Sequence, residues 1–134
     1  MDETDREILD NLKKDGRRSF TGIADELDVS EGTVRRRVQE MKDKGVIERF
    51  TVELGSSGAK AIVMIKLSTE SGINDVIQQF SGDMEINEVT GEYDLVVEFE
   101  REDTERINRV LDSIRGIDGV EETKTYTVLK QRKL

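Results

Sequence analysis

Three consecutive arginines, Arg35, Arg36 and Arg37, stand within the nine residues SEGTVRRRV at positions 30–38. An arginine guanidinium can donate two parallel hydrogen bonds to the edge of guanine, or it can bind a phosphate without reading sequence. This chemistry serves nucleic-acid binding, yet the chain of 134 residues carries a formal net charge of −9. Any DNA contact is therefore expected to depend on local basic patches and not on the overall charge.

The three arginines face different directions if the stretch after Ser30 is helical, because successive helical residues are rotated by about 100°. The apolar residues that define the face towards the protein are Val34, Val38 and Met41. Arg36 lies almost opposite this face, which suits a base contact, and Arg35 lies on one flank, which suits a phosphate. Arg37 leans back towards the protein, so we predict an internal ion pair with an acid of the first helix such as Asp5.

Residues 1–54 show three short helical patterns and then an alternating stretch. The first pattern has capping-box spacing at Thr4 and Glu7, and the third ends at Gly45. VIERFTVEL at 46–54 alternates apolar and polar residues, which predicts a strand or a small hairpin arm. Three helices with a tight turn before the third, followed by a β-arm, are typical of a winged helix-turn-helix.

The second helix of a helix-turn-helix places its N-terminal part in the major groove of DNA. Its first residues therefore lie nearest the base edges, and a second basic pair at 17–18 adds cations near the turn. The residues that we predict to contact DNA are Arg17, Arg18, Ser30, Glu31, Gly32, Thr33, Arg35 and Arg36.

Two alternatives for the arginine run remain open at this point. The run could be a solvated helix face, since Arg36 and Glu40 have the i, i+4 spacing of a simple ion pair, although this order suits the helix dipole poorly. The surface could also belong to a winged helix that binds protein instead of DNA.

Residues 55–134 begin with the linker GSSG and then change in pattern. AIVMIKL is apolar on both alternating faces, so a strand here needs a cover on each face. The order of the predicted elements is βαββαβ, an α+β arrangement of ferredoxin-like type. These elements are a strand at 61–67, a helix from Ile73 to Phe80, strands at 85–90 and 93–100, a helix at 104–115 and a strand at 121–129.

Both crossover helices of such a unit are expected on one face of the sheet, because parallel crossovers share a hand. The other face still carries apolar side chains, since both faces of the strand at 61–67 are apolar, and this half of the chain has no spare element to cover them. A second copy of the same sheet is the economical cover. We therefore predict a homodimer built on residues 55–134.

The chain has no cysteine and no histidine. Their absence removes thiol nucleophiles, disulfides, the usual zinc and iron ligands and the commonest general base. Adjacent carboxylates such as Glu121 and Glu122 would point to opposite faces of a strand, so no nucleophile–base pair is apparent. We expect no enzymatic activity, no bound metal and no cofactor.

No apolar run approaches the roughly 20 residues that cross a bilayer. The N-terminal MDETDREI is acidic, whereas a secretory signal begins basic and continues apolar. We expect a soluble, cytoplasmic protein without a membrane partner.

Several short motifs occur in a characteristic order along nearly the whole chain. They are D-x-x-I-L at 5–9, D-G-R at 15–17, I-A-x-x-L at 23–27, V-S-x-x-T-V-x-x-R-V at 29–38, G-V-I at 45–47, V-T-G-E-Y-D at 89–94 and T-Y-T-V-L at 125–129. In this order and spacing they resemble the Lrp/AsnC family, the leucine-responsive and asparagine-responsive transcription regulators of bacteria and archaea. The arginine of the family motif matches Arg37, which suits a structural role for that residue.

The resemblance implies a DNA-binding domain at 1–54 and a RAM-type, ferredoxin-like domain at 55–134 that senses a ligand and oligomerises. It also implies an amino-acid effector and dimers that assemble further into tetramers or octamers. The effector site of the family lies between dimers, near the G-x-Y-D loop and the last strand. Carried over, the implied effector residues are Gly91, Tyr93, Asp94, Thr125 and Thr127.

Simpler explanations exist for these effector residues. Gly91 could serve only to permit a positive φ in the turn, and Asp94 could serve only to cap it. Thr125 and Thr127 could be ordinary strand residues on the dimer face. One departure from the family is a short stretch between Phe50 and the sensing domain, so the wing or the hinge is abbreviated.

The sequence thus predicts a sequence-specific DNA-binding transcriptional regulator, with binding or assembly modulated by a small molecule such as an amino acid. A ligand-sensing or interaction module without DNA binding is the alternative. The net charge of −9 would repel DNA at low salt, but at molar salt the screening length falls to about 3 Å. An acidic, cysteine-free chain therefore suits a halophilic archaeon.

Overall fold

The computed structural model describes residues 1–55 and 58–134, which divide into two compact units, Met1–Leu54 and Gly55–Leu134. The first unit contains three helices, α1 (Glu3–Lys14), α2 (Phe20–Leu27) and α3 (Glu31–Asp43). Apolar residues at helical spacing on all three helices form its core, namely Ile8, Ile23, Ala24, Val34, Val38 and Met41. The linker GSSG predicted at 55–58 lies partly outside the described residues.

Helix α1 begins two residues earlier than its capping-box motif predicted. Asp2 is the N-cap and accepts a hydrogen bond from the Asp5 backbone N–H at 2.9 Å, while the Asp5 side chain accepts from the Asp2 N–H at 3.2 Å. The prediction of a Thr4–Glu7 box is therefore wrong. Aspartate is as good an N-cap as threonine, and this pair has the same spacing of three residues.

The predicted β-arm at 46–54 is also wrong, because these residues form no strand in the described part of the chain. An isolated strand leaves its backbone N–H and C=O groups without partners, and no neighbouring strand of the described residues pairs with this segment. Its alternating apolar side chains are exposed, with Val52 at 77% and Leu54 at 82%.

The second unit has the strands and helices β1 (Ala59–Leu67), α4 (Ile73–Ile77), β2 (Glu85–Glu88), β3 (Leu95–Arg101), α5 (Thr104–Arg115) and β4 (Val120–Val128). The strands form one antiparallel sheet in the order β2-β3-β1-β4. This βαββαβ arrangement confirms the predicted ferredoxin-like class. Helix α4 is shorter than predicted, because the chain tightens after Ile77 into turns that include a Phe80 N–H to Ile77 C=O bond.

One face of the sheet is covered by α4 and α5, as predicted. The central strand β1 buries alternate residues against these helices, and the same core includes Val76 of α4 and Leu111 of α5. The opposite, open face carries the other residues of β1, among them Ile62 and Met64, which are only partly buried. Side chains on the open face of β1 therefore have no cover from the described elements of this unit.

Candidate functional site

The N-terminus of α3 is built by a serine cap. The Ser30 hydroxyl accepts a hydrogen bond from the Thr33 N–H at 3.1 Å and lies 2.8 Å from the Thr33 hydroxyl. Asp28 adopts a left-handed conformation with φ of 56° and ends α2 just before this cap. At Gly32 a Cβ atom would meet only the Ser30 hydroxyl, at 4.0 Å, so a ligand can approach the backbone closely here.

The exposure of the arginines follows the helical-wheel prediction. The side chains of Arg35 and Arg36 are 67% and 60% exposed, whereas that of Arg37 is 23% exposed. Arg37 donates to Asp2 at 2.6 Å and to Asp5 at 3.1 Å, which confirms the predicted internal ion pair with α1. The hydrogen bond from Arg37, helped by the Asp5 backbone N–H, holds the pKa of Asp2 below its ordinary value.

The two outward arginines already have acidic partners on their own helix. Arg35 donates through Nε and Nη2 to one oxygen of Glu31, at 3.0 and 2.5 Å, and its guanidinium lies 5.2 Å from the centre of the Phe20 ring. Arg36 donates to Glu40 at 2.9 Å, so the simple pair that the spacing allowed is formed. Arg35 is thus held by two hydrogen bonds and Arg36 by one.

The other predicted basic pair lies at the start of α2. Arg18 spans the helix, donating to the Gly22 carbonyl at 3.3 Å and to Glu26 at 3.0 Å. The Arg17 backbone N–H donates to the Asp15 carboxylate at 3.0 Å, which orders the turn before α2. The sequence prediction missed the roles of Glu26, Glu31 and Phe20 as arginine partners, although the i, i+4 spacing signals the pair of Glu31 with Arg35.

The predicted effector loop connects β2 to β3. Gly91 has a φ of 119°, which glycine alone adopts readily, so its conformational role is confirmed. The Asp94 carboxylate accepts from the Leu67 N–H at 2.8 Å, and the Asp94 N–H donates to the Ile65 carbonyl at 2.9 Å. Through these two hydrogen bonds, Asp94 attaches the loop to the end of β1. The pairing of β1 with β4 shifts register at the same end, between Lys66 and Leu67.

A groove of about 440 Å³ lies beside this loop. Gly91 and Asp94 line it together with three residues of the β1–α4 connection, which are Ser68, Thr69 and Ser71, and with Lys66. The two serine hydroxyls are 2.9 Å apart. The sequence prediction missed the lysine and the β1–α4 residues, because only the sheet brings them beside the loop.

The predicted threonines occupy a different part of the sheet. Thr125 pairs with Val63 and Thr127 with Ala61 across an antiparallel ladder, so their side chains share the helix-covered face. The alternative that placed them on the open dimer face is therefore wrong. Thr127 pairs with Ala61, which is four positions, or about 13 Å, along β1 from Ile65. Ile65 accepts the hydrogen bond from Asp94 of the effector loop. One protomer does not bring these threonines into the groove that contains Gly91.

Two further placements complete the predicted site. Tyr93 is partly buried in the loop but does not line the groove. The Thr125 hydroxyl is shielded from solvent and has no hydrogen-bond partner among the described residues.

None of the helices in residues 1–55 and 58–134 has the length and apolar character required to cross a membrane.

Family models match both units. Residues 1–48 match the winged helix-turn-helix DNA-binding family, and residues 60–134 match the Lrp/AsnC ligand binding domain. Among curated proteins, the HTH-type transcriptional regulator LysM of Saccharolobus solfataricus is 37% identical, and the alignment covers 97% of this chain and 94% of LysM. The HTH-type transcriptional regulator FL11 of Pyrococcus furiosus is 30% identical over 99% of this chain and 92% of FL11.

Solved structures share the fold. Escherichia coli AsnC superposes with a TM-score of 0.87 at 22% identity, covering all of this chain and 95% of AsnC. A transcriptional regulator from Neisseria meningitidis, solved as an L-Met complex, gives 0.86 at 21% identity and covers all of this chain and 93% of its own. The matches at both units, the recognition-type α3 and the ferredoxin-like sheet lead to one assignment. The chain belongs to the Lrp/AsnC family and is a transcriptional regulator with a winged helix-turn-helix DNA-binding domain and an Lrp/AsnC ligand binding domain.

Proposed function

We propose that residues 1–54 read a specific DNA sequence through Arg36, and that residues 55–134 bind an amino acid and pair two copies of the chain. The observation that carries the DNA contact is the placement of Arg36. Its side chain is 60% exposed near the N-terminal half of α3, opposite the buried Val34 and Val38. A guanidinium in this position matches the two acceptors on the major-groove edge of guanine. The predicted contacts of Arg17, Arg18, Ser30, Glu31, Gly32, Thr33 and Arg35 belong to the same proposal.

Replacement of the two exposed arginines should separate base reading from phosphate binding. Arg36→Ala is expected to weaken binding to a selected DNA site by about 5- to 150-fold, which is 1–3 kcal/mol, and to leave random DNA nearly unaffected. Arg35→Ala is expected to weaken both DNAs alike and to reduce the salt slope by about one. The selected site comes from enrichment of a random duplex pool by the intact protein, and affinity is measured by gel shift.

Arg109→Ala is the control, since it removes an exposed arginine of an i, i+4 ion pair from the other unit. The measurements run from low to molar KCl, because we also propose that this acidic chain works at high salt. Equal losses for both alanine variants on both DNAs would contradict the division of roles. The absence of any selective enrichment at every salt concentration would instead support a ligand-sensing module that does not bind DNA.

The effector proposal is supported by the groove beside Gly91. Its lining combines an ammonium group on Lys66, the carboxylates of Glu92 and Asp94 and the hydroxyls of Ser68, Thr69 and Ser71. An amino acid carries a carboxylate and an ammonium group that complement these charges. The amino-acid complex of the Neisseria relative has the same overall fold, although its identity to this chain is only 21%. Because one protomer does not bring Thr125 and Thr127 into this groove, we propose that the exposed Thr127 contacts an effector held by a neighbouring subunit and that the shielded Thr125 supports it on the same strand.

A thermal-shift screen with the twenty amino acids tests the effector proposal. Binding to the folded state raises the unfolding midpoint, and a ligand at about 100 times its Kd stabilises by about 2.7 kcal/mol. We expect at least one amino acid to raise the midpoint, and Lys66→Ala to abolish the rise. Lys60→Ala is the matched control, because Lys60 is on the same strand but does not line this groove. A rise that persists in Lys66→Ala would place the effector elsewhere.

The dimer proposal is supported by the open face of the sheet. Its apolar centre contains Ile62, Met64 and Val96, and strand register extends it to the half-exposed Tyr126. On this open face, β2 and β3 carry the carboxylates of Glu85, Glu98 and Glu100. The open face of β1 and β4 carries the ammonium groups of Lys60, Lys66 and Lys124 and the carboxylate of Glu122. A two-fold axis parallel to the strands would place the acidic half of one sheet over the mainly basic half of its partner. Tetramers or octamers would then form through other surfaces.

A further inference from the structure

Three acidic side chains sit on the proposed DNA surface, each bonded to an arginine. Glu26 pairs with Arg18 at 3.0 Å, Glu31 with Arg35 at 2.5 Å, and Glu40 with Arg36 at 2.9 Å. In residues 1–54 there are 11 basic and 14 acidic residues, so this unit has a formal charge of −3. A surface that binds a polyanion usually carries an excess of cations. The three carboxylates therefore oppose the positive charge that such a surface usually carries.

Exposed ion pairs of this kind are weak. A pair between exposed arginine and glutamate changes an equilibrium by a factor of up to about five. DNA can break such pairs and take the place of the glutamate. Each pair that must be broken reduces the apparent affinity of the arginine for DNA. A phosphate gains little from the exchange, since one anion replaces another and the released carboxylate remains beside the polyanion.

A guanine edge accepts two parallel hydrogen bonds from one guanidinium. Arg36 donates a single hydrogen bond to Glu40, so the guanidinium has further N–H groups that can form two parallel bonds with guanine. Arg35 is held more firmly, because two of its nitrogens donate to the same Glu31 oxygen and its guanidinium lies over the Phe20 ring. The pairs thus oppose phosphate binding by Arg35 more strongly than base binding by Arg36.

We propose that Glu31 lowers the affinity of the DNA-binding unit for DNA of any sequence, by competing with phosphates for Arg35, and that Glu40 competes more weakly with DNA for Arg36. This inference rests on the proposed DNA contacts of these two arginines. Arg35 is proposed to bind a phosphate in every duplex, so the competition from Glu31 weakens binding to random and selected DNA alike. Glu31 has the larger effect on DNA affinity, because Arg35 is held more firmly than Arg36.

Binding of a random-sequence duplex at several KCl concentrations tests this proposal. Glu31→Gln is expected to tighten binding about fivefold, and to steepen the plot of log K against log salt concentration by about one unit. Glu40→Gln should tighten it less. The ratio of selected-site to random-DNA affinity should stay unchanged in Glu31→Gln, because Arg35 is proposed to bind a phosphate in both DNAs. Unfolding midpoints are measured alongside to verify that each variant is folded.

Glu105→Gln is the matched control. Glu105 pairs with Arg109 at 3.0 Å with the same i, i+4 spacing, on α5 of the other unit, and its replacement changes the net charge by the same amount. It should leave DNA binding unchanged. A second control combines Glu31→Gln with Arg35→Ala. The tightening should disappear in that background, because the arginine to be released is absent.

Three results would overturn the proposal. One is a Glu31→Gln protein that binds random DNA no more tightly than Glu105→Gln. Another is tightening that persists with Arg35→Ala, since this would reflect general charge repulsion. The third is a loss on the selected site without tightening on random DNA, which would mean that Glu31 acts only through its own DNA contact and does not compete for Arg35. If Arg35→Ala leaves all DNA binding unchanged, the proposed contact fails first, and the two failures are thereby distinguished.

Discussion

Val96→Glu is expected to convert the protein from a dimer into a folded monomer. Val96 is on the open face of β3, where its cross-strand neighbours are Met64 on β1 and Asn87 on β2. Neither neighbour can neutralise a new carboxylate. An unpaired charge buried at an interface costs about 3–5 kcal/mol, so the dimer dissociation constant should rise by at least about 100-fold. Each dimer contains two such sites, which adds to the effect.

The monomer itself should remain folded, because Val96 faces away from the core of α4, α5 and the sheet. Sedimentation equilibrium measures the mass, which should fall from twice the chain mass to 15.2 kDa. Ser113→Glu is the control, since it places the same charge on an exposed position of α5. DNA affinity should fall with the dimer, because two recognition helices no longer bind as one unit.

A Val96→Glu protein that stays dimeric at every concentration would show that the open face is not the interface. A monomeric unaltered protein would contradict the homodimer itself. Raised KCl distinguishes the two contributions to the interface. The acidic and basic halves of the face attract less strongly when they are screened, whereas the contacts of the apolar centre do not depend on charge screening.

Much of the second unit could be predicted from sequence because its signals are local. Helix α5 was predicted at 104–115 and has these bounds, since Asp103 caps its first turn and Gly116 follows its last residue. Alternation also divides the residues of β1 correctly between two faces, of which the one with Val63 and Ile65 is buried. The direction of Arg37 follows from helical periodicity and needed no knowledge of its partners.

Three of the failures have a common physical origin, because each depends on atoms that are distant in sequence. The face of Thr125 and Thr127 is decided by the pairing of β4 with β1, and a shift of one residue would reverse it. The segment at 46–54 alternates as a strand does, but alternation supplies no partner for its backbone. The groove at Gly91 needs the β1–α4 connection, which the sheet alone brings near the loop.

Gly119→Ala is expected to destabilise the ligand-binding unit by about 2–5 kcal/mol. Gly119 has a φ of 99°, where a residue with a side chain is strained by about 1–2 kcal/mol. A Cβ atom would also lie 2.7 Å from the Ser71 hydroxyl and 2.8 Å from Val76 Cγ2. Val76 is buried and cannot move aside, so overpacking adds about 1–3 kcal/mol.

Two other glycines separate these contributions. Gly91 also has a positive φ, but a Cβ there would meet nothing within 4 Å, so Gly91→Ala should show only the backbone strain. Gly116 has a φ of −83°, and its nearest atoms would be 3.6 Å away. Gly116→Ala should therefore be neutral or stabilising by up to about 1 kcal/mol. Urea unfolding of the three variants should give the order Gly116, Gly91, Gly119 from most to least stable.

Gly119→Ala should also alter the effector groove, so the conformation of this turn affects ligand binding as well as stability. The Gly119 carbonyl accepts from the Ser68 N–H at 2.9 Å, and Ser68 and Ser71 both line the groove. A displaced Ser71 would therefore alter the groove even at temperatures where the unit is folded. We expect Gly119→Ala to lose the thermal shift produced by an amino acid, whereas Gly116→Ala keeps it. A Gly119→Ala protein as stable as Gly116→Ala, with an unchanged ligand response, would show that the turn can relax without disturbing the groove.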